Sequence, residues 1–258
     1  MRVAVVTLAG SRYGKKLLHR LAESGQPADL VVVARGTRAR NVRLLRGMAR
    51  RIGWFDALRY AVDEVARQAV GPALEPGAAR PYAELAREVA SVEGVRGPEL
   101  PGIVAAHGID LVLLGQSGIV PAAALAAPRL GTLNAHPGWL PGYRGVDCAE
   151  WALVQDDFAR VGSSLHWVDT GIDTGPIVRR KPYQWRGDES LRTLSARLYE
   201  DCLGLLTEAA AEAETSTLPA LPNEGGRQYH KMPWARRRVA ASRLAGFLAR
   251  RPAGAASS

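Results

Sequence analysis

Asn134, His136 and Asp173 are the residues whose types could polarise a carbonyl, move a proton and hold the proton carrier in place. Asn134 and His136 stand two apart in Gly131-Thr132-Leu133-Asn134-Ala135-His136-Pro137, so an extended backbone puts both side chains on one face. Asp173 follows in Gly171-Ile172-Asp173-Thr174-Gly175-Pro176-Ile177. A side-chain amide can donate to a developing oxyanion, and a positively charged imidazole can do the same while transferring a proton. A carboxylate beside that imidazole can raise its basicity and order a proton-carrying water. Taken singly, Asn134 could be a turn residue, His136 a packed imidazole before proline, and Asp173 a loop residue bonding its own backbone.

The elements around these residues read as an α/β domain with a Rossmann-like, mostly parallel sheet and helices on both faces. Arg2 to Leu8 is a short β-rich run, Lys15 to Ser24 has helical spacing, and Asp29 to Ala34 is a second buried strand, together a βαβ opening. Residues 37 to 70 read as helical, with Ile52, Trp54, Phe55, Leu58, Val62 and Val65 as expected buried positions, ended by Pro72, Pro76 and Pro81. Tyr82 to Val95 reads as a helix and a brief strand, and Leu100 to His107 as a helix feeding a central strand at Asp110 to Leu114. A helix around Cys148 to Val154, strands at Ser163 to Val168 and Ile177 to Tyr183, and a helix from Leu191 to Ala211 complete a domain over residues 1–213. Residues 214–258 form a C-terminal extension: a loop, a short extended stretch at Arg227 to Pro233, and a basic piece from Trp234 to Arg251. That piece reads as a poorly ordered tail, with an amphipathic helix as the alternative, before a disordered Ala- and Ser-rich end.

Pro128-Arg129-Leu130-Gly131 leading into Asn134-x-His136-Pro137, then Leu140-Pro141-x-Tyr143-Arg144-Gly145, then Ser163-x-x-His166 and Asp173-x-Gly175-Pro176, form an ordered set of motifs. The set resembles the 10-formyltetrahydrofolate-dependent formyltransferases, which include glycinamide ribonucleotide, methionyl-tRNA and amino-sugar formyltransferases. The resemblance implies the formyltransferase fold, catalytic roles for Asn134, His136 and Asp173, and a position near the site for His166. It implies 10-formyltetrahydrofolate as co-substrate, with no metal. The folate would lie along Leu114-Gly115-Gln116-Ser117-Gly118-Ile119-Val120 and the loop Val168-Asp169-Thr170-Gly171-Ile172, held largely by backbone groups. Gln116 and Ser117 depart from the residues most often found there, which leaves the fine shape of the pocket open.

Gly10, Ser11 and Arg12, at a strand-to-helix turn, are candidate acceptor contacts, as are Tyr143, Arg144 and His166. Gly10 to Lys16 lacks the spacing of a nucleoside triphosphate loop, and Gly115 to Gly118 lacks that of a hydrolase nucleophile elbow. The reaction expected is transfer of a formyl group to a primary amine of a small metabolite, an amino sugar or related intermediate. Hydrolysis of the donor with release of formate, and folate binding without turnover, remain the alternatives.

The chain's 258 residues supply a full α/β domain, and 47% hydrophobic content supplies a core. No run reaches the roughly 18 apolar residues of a membrane span, and the start lacks a leader pattern, so a cytoplasmic protein without a membrane partner is expected. Cys148 and Cys202 have no metal-ligand spacing and read as two free thiols. The net charge of +9 and the cluster Arg35, Arg38, Arg40, Arg43, Arg46, Arg50 and Arg51 suit a solvated helix face or an anionic or nucleotide-linked acceptor. The length leaves no room for an added tRNA-binding domain, so tRNA is not the expected partner, and the C-terminal extension is a candidate dimer element.

Overall fold

The computed structural model describes residues 1–36, 38–70 and 80–251. In chain order the elements are β1 (Val3–Leu8), α1 (Arg12–Glu23), β2 (Ala28–Ala34), α2 (Arg38–Ile52), α3 (Trp54–Val70), β3 (Ala86–Val92), α4 (Glu99–Ala106), β4 (Leu111–Gly115) and α5 (Ala122–Leu125). They continue with β5 (Gly131–His136), β6 (Tyr143–Gly145), α6 (Cys148–Val154), β7 (Gly162–Trp167), β8 (Ile177–Pro182), α7 (Leu191–Glu212), β9 (Arg227–Tyr229) and α8 (Trp234–Ala249). Seven strands form one sheet in the order β3-β2-β1-β4-β5-β7-β8, and β6 pairs with β9 in a second, two-stranded sheet. Strands β1 to β5 pair in parallel, whereas β7 and β8 run antiparallel with a register shift between Leu165 and His166. β1, β2 and β4 are buried almost throughout, the pattern of parallel strands covered on both faces.

Two compact units divide the chain. One comprises Met1–Asn134, Trp167–Thr170 and Leu206–Leu218; the other comprises Ala135–His166, Gly171–Leu205 and Pro219–Ser258. In the first, the core joins Val6, Leu30, Val32, Leu100, Val112 and Leu114. The chain runs outward through β1, β2 and β3 and then returns to the other side of β1 as β4, which makes the β1–β4 junction a topological switch point. At that junction the chain segments are in close approach: a Cβ on Gly115 would lie 3.0 Å from Gly14 Cα, and one on Gly14 would strike Thr7 Oγ1. Thr7 Oγ1 donates to Gly115 O at 2.6 Å, and Ser11 caps α1 by accepting from Gly14 N at 3.1 Å.

In the second unit, the core is built from α6, α7 and α8 around Tyr143, Leu153, Trp185, Leu198, Tyr229 and Leu244. Here the basic C-terminal piece is helical over sixteen residues rather than a loose tail. Its apolar residues find a surface, with Ala240 and Leu244 buried and Phe247 stacked on Phe158 at 4.0 Å between ring centroids. Its arginines find acids: Arg237 pairs with Glu150 at 3.4 Å and Arg243 with Asp156 at 3.0 Å.

Other local expectations also change. Residues 38–70 form two helices, broken at Gly53 with φ +86°, and the buried side of α3 is Ala57 and Tyr60. Trp54, Phe55, Leu58 and Val62, expected inside, are exposed, and α3 packs through Ala57 and Tyr60 instead. The segment expected to be a helix before β3 is one short turn at Tyr82–Glu84, while β3 itself spans seven residues. Val65, Pro72, Pro76 and the Ala- and Ser-rich end fall outside the described residues or side chains. Among the described residues no helix is long and apolar enough to cross a membrane.

Candidate active site

His136 ends β5, and the residue is 4% exposed. Its Nε2 lies 3.0 Å from the carbonyl oxygen of Tyr143, and its Nδ1 lies 3.5 Å from Asp173 Oδ2. The other carboxylate oxygen, Asp173 Oδ1, lies 3.5 Å from His166 Nε2 on β7. Asp173 Oδ2 also accepts from the backbone N–H of Gly145 at 2.8 Å. The carboxylate thus sits between two buried imidazoles and one amide donor. Asp173 is placed there by a turn in which its own φ is +52°.

Burial pushes the Asp173 carboxyl upward, but the His136 charge, the His166 bond and the Gly145 N–H together outweigh it and hold the group down at about 2. It is an anion at neutral pH. For His136 the balance goes the other way: burial lowers its pKa below the ordinary value and outweighs the raising effect of Asp173. The ring is therefore neutral at neutral pH and must gain a proton before it can act as the positively charged imidazole considered from sequence. The 3.5 Å separation from Asp173 is longer than the 2.7–2.9 Å typical of a charge-assisted bond. A neutral ring that donates Nε2–H to Tyr143 O keeps its lone pair on Nδ1. A proton arriving at Nδ1 would find the Asp173 carboxylate beside it. The arrangement is that of a proton acceptor whose charged form is met on both nitrogens.

The turn after His136 is held closely. Ser164 Oγ donates to Gly138 O at 2.7 Å and accepts from Leu140 N at 3.0 Å, and Arg180 Nε donates to Leu140 O at 2.6 Å. A Cβ on Gly138 would run into the His136 imidazole and lie 2.7 Å from Cys148 Cβ. Sequence reasoning gave no role to Gly138, to the Tyr143 carbonyl, to the Gly145 N–H or to Asn223. Asn223 Nδ2 donates to Asp173 O at 3.0 Å and to Gly175 O at 2.7 Å. Main-chain groups carry no mark in a sequence, and Asn223 lies 50 residues from the turn it holds.

Of the sequence-derived candidates, the structure brings His136, Asp173 and His166 together. Asn134 lies on β5 two residues before His136, partly buried, so the two side chains leave the same face of that strand. Tyr143 is dropped as a substrate contact: its hydroxyl donates to Asp157 at 2.8 Å and its ring stacks on Tyr229 at 5.4 Å, so the whole side chain is committed to packing. Arg144 reaches Gly226 O at 3.4 Å, the bond of a loop pin. Ser11 is occupied as a helix cap and lies 3.1 Å from Gln116 Oε1, with Gly10 and Arg12 on either side of it. The buried thiol of Cys148 is pushed well up by burial first and by Asp173 next, so it is chemically quiet.

The segment Leu114 to Val120 leaves β4 at the switch point. Gln116 has φ +64° and Gly118 φ +86°, and Gln116, Gly118 and Ile119 are exposed between buried Gly115, Ser117 and Val120. Val168 packs into the same core as Leu114 and Val120, and its N–H donates to Thr132 O at 2.8 Å. Asp169, Thr170, Gly171 and Ile172 follow as an exposed loop.

Comparison with known proteins places the chain in a family. A methionyl-tRNA formyltransferase of Sorangium cellulosum is 39% identical over 158 residues, which is 56% of this chain and 50% of that protein. The human cytosolic 10-formyltetrahydrofolate dehydrogenase is 33% identical over 138 residues, 50% of this chain and 15% of that protein. The chain thus spans half or less of the length of these two relatives. The phosphoribosylglycinamide formyltransferase of Bacillus halodurans shares the fold at a TM-score of 0.55 and 19% identity, over 84% of this chain and 96% of that one. The family model described as formyl transferase matches residues 1–209, a stretch that contains β5, β7 and the Asp173 turn, and the chain belongs to that family.

Proposed function

We propose that the chain transfers the formyl group of 10-formyltetrahydrofolate to a primary amine of a small metabolite, with amino sugars and related intermediates as the first class to test. The observation that carries this reading is the anionic Asp173 held against the neutral, buried imidazole of His136. The segment Leu114 to Val120, whose backbone turns through positive φ angles at Gln116 and Gly118, is the first backbone segment proposed for the donor's flat, polar ring. The loop Val168 to Ile172 is the second backbone segment proposed for it. The bound donor supplies an electrophilic formyl carbon. Transfer makes the bond between amine and carbon and breaks the bond from carbon to N10, while one proton leaves the amine and one arrives at N10.

The chain's residues divide that work. The Asn134 amide donates to the formyl oxygen as negative charge develops on it. His136 takes the amine's proton at Nδ1, where the Asp173 carboxylate stabilises the resulting imidazolium, and returns it toward N10. His166 and the Gly145 N–H hold Asp173 in place as an acceptor.

The test follows loss of the formyl donor with and without a panel of amines, including amino sugars, nucleotide-linked amino sugars and an aminoacylated initiator tRNA. Amine-dependent turnover is expected, lowered by about 100-fold or more in His136→Ala and Asp173→Asn. Equal rates for wild type and both variants on every acceptor would refute the reading. Formate release without any amine would identify a hydrolase, turnover confined to the tRNA arm would replace the metabolite, and donor binding without turnover would leave a folate-binding protein.

A further inference from the structure

We propose that residues 221–232 form a strap that sets the geometry of His136 and Asp173, with Asn223 and Tyr229 as its positioning residues. The proposal rests on the catalytic reading of that pair.

The strap touches the pair's own backbone supports from two sides. At its start, Leu221 and Ile177 exchange backbone hydrogen bonds of 2.8 Å each, which fixes the strap beside the end of the Asp173 turn. Asn223, 8% exposed, then places both amide N–H groups on that turn, one on the carbonyl of Asp173 and one on that of Gly175. Its buried Oδ1 makes no hydrogen bond among the described residues, so the donors are what this position uses. Asp173 needs such restraint because a non-glycine residue at φ +52° occupies a sparsely populated conformation.

On the other side, β9 pairs in parallel with β6, setting Tyr143 opposite Arg227 and Gly145 opposite Tyr229. β6 is the strand that supplies both backbone partners of the pair, the Tyr143 carbonyl to His136 and the Gly145 N–H to Asp173. β6 is three residues long, and β9 is its partner in the two-stranded sheet. Tyr229 fixes that pairing. Its ring stacks on Tyr143 at 5.4 Å and meets Trp151 at 5.3 Å, and its hydroxyl accepts from Gln155 Nε2 at 3.0 Å. Gly145, at φ +100°, passes so close that any Cβ there would strike the Tyr229 carbonyl. The strap's far end is tied to Asp147, which accepts from Lys231 Nζ at 2.8 Å and from Met232 N at 2.9 Å.

The test combines two readouts on the full chain. Asn223→Ala is expected to lower kcat by about tenfold or more on the best acceptor of the panel, the scale on which small displacements of reacting groups act, with KM for the formyl donor little changed. Asn223→Ser, which keeps one donor, should fall between it and wild type. Tyr229→Ala should behave like Asn223→Ala, and Tyr229→Phe, which keeps the stacked ring, should restore most of the rate. The second readout needs no acceptor: ¹⁵N NMR titration of the His136 imidazole, which should shift downward in Asn223→Ala as Asp173 moves away, and should not shift when Asp173→Asn is already present. An unchanged kcat and titration, or the same change with and without Asp173, would overturn the strap. Failure of both Asn223 variants to fold would also overturn it, since the strap would then determine the fold. If His136→Ala and Asp173→Asn match wild type in turnover, the catalytic reading fails while the titration still tests the strap. If those two lose activity and Asn223→Ala is unaffected in both readouts, the strap fails alone.

Discussion

At the scale of single residues, the centre depends on which of two opposing effects wins on each group. Burial opposes charge on both His136 and Asp173; it prevails on the imidazole, which faces one carboxylate, and loses on the carboxylate, which faces two imidazoles and an amide. The consequence is a pH profile. A neutral His136 is needed to accept a proton, so kcat/KM should fall on the acid side with a midpoint below the ordinary histidine value of about 6.5. A pH–rate curve measures it, and an acid limb above that value would contradict the neutral resting state. Gly138 gives a second prediction. Gly138→Ala drives a methyl group into the His136 imidazole and Cys148, so activity should fall by at least about tenfold with a stability loss of about 1–3 kcal/mol, read by turnover and thermal unfolding. Asn134, His136 and Asp173 could be singled out because an amide, an imidazole and a carboxylate are the side chains suited to the proposed chemistry and their motifs stand in order. The Tyr143 carbonyl and the Gly145 N–H were not, because any residue type supplies them. Tyr143 misled for a related reason: a tyrosine beside a catalytic motif reads the same whether its hydroxyl meets a ligand or Asp157.

At the scale of elements, most strands and helices were readable from apolar runs and spacing, and the exceptions share one cause. Trp54, Phe55, Leu58 and Val62 form a continuous apolar stripe, but Ala57 and Tyr60 form another, and only packing decides which faces the core. The basic C-terminal piece was misread for the same reason, since its partners Glu150, Asp156 and Phe158 lie far earlier in the chain, on and just after α6. Helix α8 pairs Arg237 with Glu150, a side chain only 10% exposed whose carboxyl is pushed up by burial first and by Asp147 next. Removing the arginine leaves that acid with less compensation. Arg237→Met should lower stability by about 1–3 kcal/mol, discounted for the partial exposure of the arginine, and Glu150→Gln in the same chain should restore much of it. Denaturant unfolding of the single and double variants measures the coupling; an Arg237→Met loss that Glu150→Gln does not relieve would mean that α8 is held by its apolar contacts alone.

At the scale of the whole molecule, the net charge of +9 gives no direct account of acid stability, which follows the groups whose folded pKa departs from the unfolded value, Asp173 and His136 among them. The unfolded chain carries Asp173 near its ordinary value of 3.8, whereas the folded chain holds it at about 2. Folding therefore gains from the ionised form: the gain is complete above the unfolded value and disappears as pH falls through about 2, a contribution of about 2 kcal/mol. His136 acts in the same direction at higher pH. Its folded pKa lies below its unfolded value, so between the two the unfolded chain binds the extra proton and stability declines as pH drops below about 6.5. The midpoint of thermal unfolding should accordingly fall in two steps on acidification, the first set by His136 and the second by Asp173. His136→Phe should flatten the first step, and Asp173→Asn should shrink the second, to which the lowered carboxyls of Asp110 and Asp188 also contribute, while lowering turnover by about 100-fold or more at every pH. A melting curve series across pH 2 to 8 in these variants separates the contributions, and an unaltered acid profile in Asp173→Asn would show that the depressed carboxylate does not hold the fold together. On the proposed mechanism the same coupling links function to stability: the buried Asp173 carboxylate that would stabilise a proton on His136 is also the group whose neutralisation is expected to loosen the protein in acid.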